Sequence, residues 1–176
     1  DDARPVAPLP HEAAAISVAA LPLRDGRPHP TDKRSLTPQA ESWPLPKGAW
    51  RLLAVVAEPR PDTLDPLNPA SGRRVIERFL NPFLARTPPE ARSALNYFFQ
   101  DELRLAGDKH LWSDAFAAEF QQRKGYDVRP VLAALFTDLG PETAKVRLDV
   151  NDVMVSLTEA YYFKPIFEWH NSRTLA

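Results

Sequence analysis

The chain has 176 residues, of which 44% are hydrophobic and 26% are charged, a balance typical of a folded globular protein. Its net charge of −1 comes from interleaved acidic and basic residues, so neither a nucleic-acid partner nor an acidic membrane surface is predicted. The absence of cysteine excludes disulfides, thiolate metal sites and cysteine nucleophiles. No apolar run reaches the roughly 20 residues of a membrane-spanning helix.

The two ends of the sequence are interpreted as boundaries within a longer protein. Residues 1–15 are rich in proline and alanine and are predicted to be a linker or the end of a preceding segment. The chain begins with Asp1 instead of methionine, and it ends at Ala176 soon after a strongly helical pattern. We therefore expect a domain at 16–176 that is truncated at both ends, with the rest of the parent chain as its partner.

Two short apolar runs in the first third of the chain predict strands. Residues 16–23 form the first, and Trp50–Ala57, which reads WRLLAVVA, forms the second between Gly48 and Pro59. The proline-rich stretch 24–46 between them is predicted to be a loop.

The middle of the chain predicts a helix followed by another strand. Asn68 is a plausible N-cap with Pro69 at the first helical position, and Pro82 should kink or end this helix. Leu95–Gln100 is rich in aromatic residues and predicts a core strand that ends at Asp101.

The last third is predicted to be helical. Ser113 or Asp114 caps a helix that stops at Gly125, and Asp127 caps a short one that ends before Gly140. A long helix then runs from about Pro141 to Trp169, with a kink at Pro165. The alternation of strands and helices along the whole chain predicts an α/β fold with parallel strands.

Adjacent carboxylates at Asp101 and Glu102 are the sharpest candidate for chemistry. In parallel α/β folds the active site lies at the carboxyl ends of the strands. A glutamate there, among aromatic residues that raise its pKa, suits the general acid of glycoside hydrolysis. Side chains alternate along a strand, so Asp101 should point away from Glu102, and the two are a poor acid/base pair. The second carboxylate must then come from elsewhere, and we assign Asp101 to substrate binding. The competing interpretation is a solvated turn.

Three further residues are candidates for substrate binding. Trp112 follows Glu102 in the same loop and is predicted to be either a sugar-stacking platform or a packing residue. His110 shares that loop, where a solvent-exposed histidine is the competing interpretation. Asp65 follows the second strand, and the alternative there is turn chemistry at Asp65-Pro66. The histidines have no metal-ligand spacing, and no nucleotide-binding or serine-hydrolase motif is present.

Four stretches together resemble the family 106 glycoside hydrolases, the bacterial α-L-rhamnosidase-like proteins. They are, in chain order, WPLPKGAWR at 43–51, LDPLNP at 64–69, FFQDE at 98–102 with Trp112 and EFQQRKGYD at 119–127, and RLD at 147–149 with FKPI at 163–166 and Trp169.

The resemblance implies part of a (β/α)8 TIM-type barrel that hydrolyses α-L-rhamnosidic or similar deoxysugar linkages in polysaccharide, with inversion. Glu102 matches the family's catalytic acid, although Leu103 follows it where many relatives have proline. The family's second catalytic glutamate would lie beyond Ala176, so we expect the isolated chain to be inactive. Calcium has been associated with the family's active site, but no ligands are assigned by motif. A bacterial polysaccharide degrader of this kind is expected to be periplasmic or secreted.

Two other interpretations stay open. One is a non-catalytic carbohydrate-binding or structural module of a larger exported protein. The other is a different barrel glycosidase, such as a β-galactosidase-like enzyme, which also places an acidic glutamate at a strand end.

Overall fold

A computed structural model describes residues 15–38, 40, 43–58, 64–96, 98, 111–113 and 115–173. The chain divides into two compact units. Unit 1 comprises Asp1–Pro61 and Ala117–Asn151, and unit 2 comprises Asp62–Phe116 and Asp152–Ala176.

Strands occur in the first third of the described chain and helices in the remainder. The strands are β1 (Ala15–Arg24), β2 (Arg27–Pro28), β3 (Arg34–Leu36) and β4 (Trp50–Val56), with a short 3-10 turn at Pro30–Asp32. The α-helices are α1 (Ser71–Val75), α2 (Asn81–Arg86), α3 (Pro89–Arg92), α4 (Phe116–Lys124), α5 (Thr143–Thr158) and α6 (Lys164–Asn171). A 3-10 helix occupies Arg129–Leu135, and π-helical turns occupy Ile76–Leu80 and Glu159–Phe163.

The sheet of unit 1 is built around β1, and every pairing in it is antiparallel. β1 pairs with β2 and β3, and it pairs with β4 along most of its length. Asp25 and Gly26 join β1 to β2 with φ angles of 51° and 74°. Two successive positive φ angles define the tight hairpin turn for which Asp-Gly is a preferred sequence.

The predicted partial TIM barrel with parallel strands is therefore wrong, because the described strands are antiparallel. A parallel neighbour requires a crossover of a dozen or more residues, usually through a helix. After β1 the chain turns back at once at Asp25, and only strands, turns and a single 3-10 turn are described between β1 and β4. The predicted loop at 24–46 thus contains β2 and β3.

Both faces of the sheet are covered within unit 1. On one face Val18 and Ala20 of β1 form a buried cluster with Trp43 and Leu45. Leu52 of β4 is partly buried and packs against this cluster. Because side chains alternate along a strand, Ala19 and Leu21 point to the opposite face, where the 3-10 helix Arg129–Leu135 lies against β1. A central strand buried on both sides explains the continuous apolar run at 16–23.

Several local predictions in unit 1 are confirmed. β1 and β4 lie where the apolar runs predict strands, and α4 ends at Lys124, directly before Gly125, which has a φ of 79°. The short helix after Asp127 is also present as a 3-10 helix, and the Asp127 carboxylate accepts a hydrogen bond from the Arg129 amide at 3.1 Å.

Unit 2 consists of helical segments, and a π-helical turn precedes a proline in two of them. The turns end at Leu80 and Phe163, two residues before Pro82 and Pro165, and the helix continues past each proline. Proline has no amide hydrogen and clashes with the carbonyl four residues earlier, so the helical hydrogen-bond pattern must change at that point. Pro82 therefore does not end the helix that it was predicted to kink or terminate.

Gly72 of α1 lies against the second of these π-helical turns. A methyl group at residue 72 would lie 2.7 Å from the Tyr162 carbonyl oxygen and 3.0 Å from the Tyr161 carbonyl oxygen. Two helical backbones approach each other here as closely as only glycine permits.

The strand predicted at 95–100 is not found in its described residues. Leu95, Asn96 and Phe98 have irregular backbone, and the other members lie outside the described residues. The residues of the predicted linker at 1–15 lie outside them too, except Ala15, which begins β1. In the described ranges, no helix has the length and apolar character needed to span a membrane.

Candidate functional site

The five residues predicted to form a site all fall within the sequence ranges of unit 2. Asp101, Glu102 and His110 lie outside the described residues, so their predicted roles stay predictions. Asp65 and Trp112 are described. The described structure has no hydrogen bond or ring contact between these two side chains.

Asp65 is held in the turn that leads to α1. Its carboxylate accepts a hydrogen bond from the Leu67 amide at 3.0 Å, and its carbonyl accepts one from the Asn68 amide at 3.2 Å. Asn68 repeats the arrangement, since its side-chain oxygen accepts a hydrogen bond from the Ala70 amide at 2.9 Å. These two successive Asx turns account for the LDPLNP stretch by local folding alone.

Trp112 packs at the start of α4. Its ring centroid lies 5.6 Å from that of Phe116, and the two rings are tilted by 59°. Phe116 is only 1% exposed, whereas Trp112 is half-buried. The indole therefore contributes to the core of unit 2 on one side and keeps part of its surface open.

Phe98 lies at the centre of the main aromatic group of unit 2, and we call this group the Phe98 cluster: Phe83, Phe98, Trp169, His170 and Arg173. Ring centroids lie 5.2 Å apart for Phe98 and Phe83, 5.9 Å for Phe98 and Trp169, and 5.7 Å for Phe98 and His170. The contacts with Phe83 and His170 are edge-to-face, at 79° and 90°, which is a favoured geometry for aromatic pairs.

Trp169 forms the fixed floor of the Phe98 cluster. It is 7% exposed, and its indole nitrogen donates a hydrogen bond to the Asn81 side-chain oxygen at 2.9 Å. The Arg173 guanidinium lies 4.2 Å from the centroid of its ring, in a cation–π contact. Phe83, by contrast, is 44% exposed, and Phe98 and His170 are half-buried. The Phe98 cluster thus has a buried, hydrogen-bonded residue at Trp169 and accessible surface at Phe83, Phe98 and His170.

The sequence alone identified only part of this arrangement. Trp169 and His170 stand out as an aromatic and a histidine near the end of the last helix, whereas Phe83 follows the apolar spacing of a buried helix face. Asn81 carries no sequence signal, because its hydrogen bond with Trp169 joins segments 88 residues apart in the chain. Arg173 lies only four residues after Trp169, but its cation–π contact depends on the conformation at the end of the helix.

A polar network surrounds Asp149 in unit 1. The Asp149 carboxylate accepts hydrogen bonds from the Tyr126 hydroxyl at 2.8 Å and from the Lys145 ammonium, and Lys124 lies 3.4 Å away. The Lys145 ammonium also lies 4.7 Å from the centroid of the Tyr126 ring. Three donors therefore surround a carboxylate of a residue that is only 9% exposed.

This environment shifts the pKa of both acids in the network. Burial alone would raise the pKa of Asp149, but the hydrogen bonds from Lys145, Tyr126 and Lys124 outweigh burial and hold the pKa below its ordinary value. Burial, together with the hydrogen bond to Asp149 and its charge, raises the pKa of Tyr126 far above its ordinary range. A fully paired carboxylate and a fixed phenol are suited to joining α5 to the loop after α4, and they are poor acid–base catalysts at neutral pH.

The apolar hollow in unit 1 offers no chemistry either. Its volume is about 290 Å³, and its lining side chains are all apolar: Leu52, Leu53, Ala54, Val55, Ala133 and Phe136. A binding pocket needs a few convergent polar groups to orient a ligand. The half-exposed aromatic surface of unit 2 is therefore the better candidate site.

Comparison with known proteins adds no assignment, because neither a family model nor a curated protein sequence matches the chain. The calcium that the family resemblance implies finds no support in the part of the chain that is described, where no three acidic or histidine side chains converge as ligands.

Proposed function

We propose that this chain contributes the general acid of a glycoside hydrolase, and that the acid is Glu102. In this role Glu102 donates its proton to the glycosidic oxygen as the bond to the leaving group breaks. The sugars proposed as substrates are α-L-rhamnosides or similar deoxysugars, as the motif resemblance implies.

The contact of Phe98 with Trp169 and His170 carries this proposal. It joins two of the stretches on which the family resemblance rests, the one that contains Asp101 and Glu102 and the one that ends at Trp169. Glu102 follows Phe98 by four residues in the same motif, and Phe98 belongs to an aromatic, partly open surface.

The second line of support is that residues of the other resembling stretches have structural roles. Asp65 and Asn68 serve turns, and Tyr126 and Asp149 serve the polar network. In the first stretch, the Trp43 indole nitrogen donates to the Thr37 carbonyl at 2.9 Å and that of Trp50 donates to the Pro46 carbonyl at 3.0 Å. Contacts within the fold account for these residues, so we do not propose them as catalytic groups.

The antiparallel sheet removes the original geometric reason for placing Glu102 at an active site, namely the carboxyl end of a parallel strand. The proposal therefore depends on the neighbourhood of Phe98 and not on a barrel. A non-catalytic carbohydrate-binding module uses the same neighbourhood without a proton donor, and it is the alternative that the experiment must separate.

The test compares Glu102→Gln with wild type in the complete natural protein, on rhamnosides whose leaving groups differ in basicity. A missing general acid slows substrates with basic leaving groups by about 10²–10⁴-fold and slows nitrophenyl rhamnosides much less, because a good leaving group needs little protonation. The matched control is Glu90→Gln, an exposed glutamate of α3.

Two outcomes would overturn the proposal. One is a Glu102→Gln protein that hydrolyses unactivated rhamnosides at the wild-type rate. The other is a folded wild-type protein that binds the sugar and hydrolyses none of the substrates, which is the behaviour of the non-catalytic module.

A further inference from the structure

We infer that the Phe98 cluster is a sugar-binding subsite that receives the apolar face of a deoxysugar ring. The class of ligand rests on the proposed function, whereas the location of the subsite rests on the geometry of unit 2. The sugar would contact Phe83 and Phe98 with its C–H groups and the His170 ring with a hydroxyl.

The arrangement of the rings supports this assignment. Phe98 packs edge-to-face against Phe83 and His170, so neighbouring rings are nearly perpendicular. The cluster therefore contains both ring faces, which are electron-rich, and ring edges, which carry partial positive charge. A sugar has the complementary character, since its C–H groups carry partial positive charge and its hydroxyls both donate and accept hydrogen bonds. A 6-deoxy sugar adds a methyl group, which suits an apolar surface.

His170 supplies ring nitrogens that can form hydrogen bonds at the Phe98 cluster. Within the described residues, its ring nitrogens have no hydrogen-bond partner, and its ring contacts are with Phe98 and Trp169. One nitrogen of a neutral imidazole donates a hydrogen bond and the other accepts one, so a hydroxyl can pair with either.

Rigidity of the floor makes the surface suitable for binding. Asn81 and Arg173 contact Trp169, and Trp169 in turn packs against the Phe98 and His170 rings, so these side chains are already in contact with one another without a ligand. A preformed surface loses less conformational entropy on binding than one that must be ordered. Among the described residues of unit 2, the other exposed phenylalanines are Phe79, Phe163 and Phe167, and the described ring contacts do not join them to Trp169.

The experiment measures L-rhamnose binding by calorimetry in the complete natural protein with Glu102→Gln, so that turnover does not interfere. Phe83→Ala removes the most exposed ring of the cluster, and we expect it to weaken binding about tenfold. His170→Ala should weaken it several-fold. Phe79→Ala is the matched control, because Phe79 lies one turn away on the same helical segment and is 59% exposed. We expect the Phe79→Ala protein to bind L-rhamnose with unchanged affinity.

The outcomes separate this inference from the proposed function. The subsite is overturned if Phe83→Ala and His170→Ala bind rhamnose as tightly as the Phe79→Ala control. It is also overturned if none of the proteins binds rhamnose. Rhamnose binding that requires Phe83, in a protein whose wild type hydrolyses nothing, supports the subsite and rejects the catalytic role. If hydrolysis depends on Glu102 but the KM of Phe83→Ala equals that of wild type, the catalytic role is supported and the subsite is rejected.

Discussion

Unit 1 and unit 2 use their polar and aromatic residues in different ways. In unit 1 the buried carboxylate of Asp149 is fully engaged by Tyr126, Lys145 and Lys124, and the sheet is covered on both faces. In unit 2 a cluster of rings is anchored from below by Trp169 and is partly open above. The comparison indicates that a conspicuous charged network can be entirely structural, while a site for ligands is better sought where fixed side chains keep accessible surface.

The two units also differ in what stabilises them. Unit 2 depends on a close approach of backbones at Gly72, a contact between uncharged groups, whereas unit 1 depends on a network whose strength varies with protonation. Substitutions at the two places should therefore respond differently to pH.

The largest effect on stability is expected from Gly72→Ala. The added methyl group would lie 2.7 Å from a backbone oxygen that a rotamer change cannot move, so α1 must shift away from the π-helical turn at Tyr162. We expect a loss of about 3 kcal/mol in the free energy of unfolding, the upper end for overpacking a close contact. Urea unfolding measures the loss, and amide exchange should locate the faster opening in α1 and α6.

Arg73→Ala is the control for this substitution, since Arg73 is exposed and adjacent to Gly72. The Gly72→Ala loss should be the same at pH 4 and pH 7, because no titrating group takes part in the contact. Wild-type stability in Gly72→Ala would show that the helices have room to separate and would remove the contrast between the units.

Asp149→Asn should cost less, about 2 kcal/mol at pH 7, because the amide keeps the size of the side chain but loses the charge that its lysine partners require. The control is Asp32→Asn in the same unit. Asp32 pairs with Arg24 while both side chains are more than half exposed, and such surface pairs contribute little. Thermal unfolding of both variants beside wild type measures the difference.

The pH dependence of the Asp149→Asn effect follows from the lowered pKa. The ordinary aspartate pKa in the unfolded chain is about 3.9, so the stabilisation by Asp149 is fully present above that pH. Below it the unfolded chain takes up a proton before the folded protein does, and the stabilisation is lost as pH falls through the lower folded pKa. The gap between wild type and Asp149→Asn should therefore narrow from pH 5 toward pH 2, and a gap that is constant with pH would contradict an ionised, paired Asp149.

Local features of the fold could be predicted from sequence because their causes are local. The apolar runs of β1 and β4, the glycine that ends α4 and the cap at Asp127 each act within a few residues. Strand direction is different, since an apolar run has the same composition in a parallel and an antiparallel sheet. The sequence does contain the relevant signal at Asp25-Gly26, a preferred hairpin turn, which lies within the stretch predicted to be a loop.

The candidate site could be predicted only in part, for a related reason. The pair Asp101-Glu102 is visible because its two members are adjacent, whereas the Phe98 cluster joins a residue in the middle of the chain to the end of α6. Exposure is equally hidden, since Phe83 and Phe79 have the spacing of a core face and yet are 44% and 59% exposed. Pairing across long separations and burial both depend on tertiary structure, which a single sequence does not reveal.

The smallest expected effect, and the finest test of the unit 1 network, is that of Tyr126→Phe. The ring and its edge-to-face contact with Phe120 at 5.0 Å are kept, and only the 2.8 Å hydrogen bond to Asp149 is removed. A loss of about 1 kcal/mol is expected, because Asp149 retains its lysine partners. In the Asp149→Asn background the same substitution should cost measurably less, since the strong acceptor is already gone, and a double-mutant cycle measures this coupling. Strict additivity would mean that the hydroxyl and the carboxylate stabilise unit 1 independently, and it would remove Tyr126 from the Asp149 network.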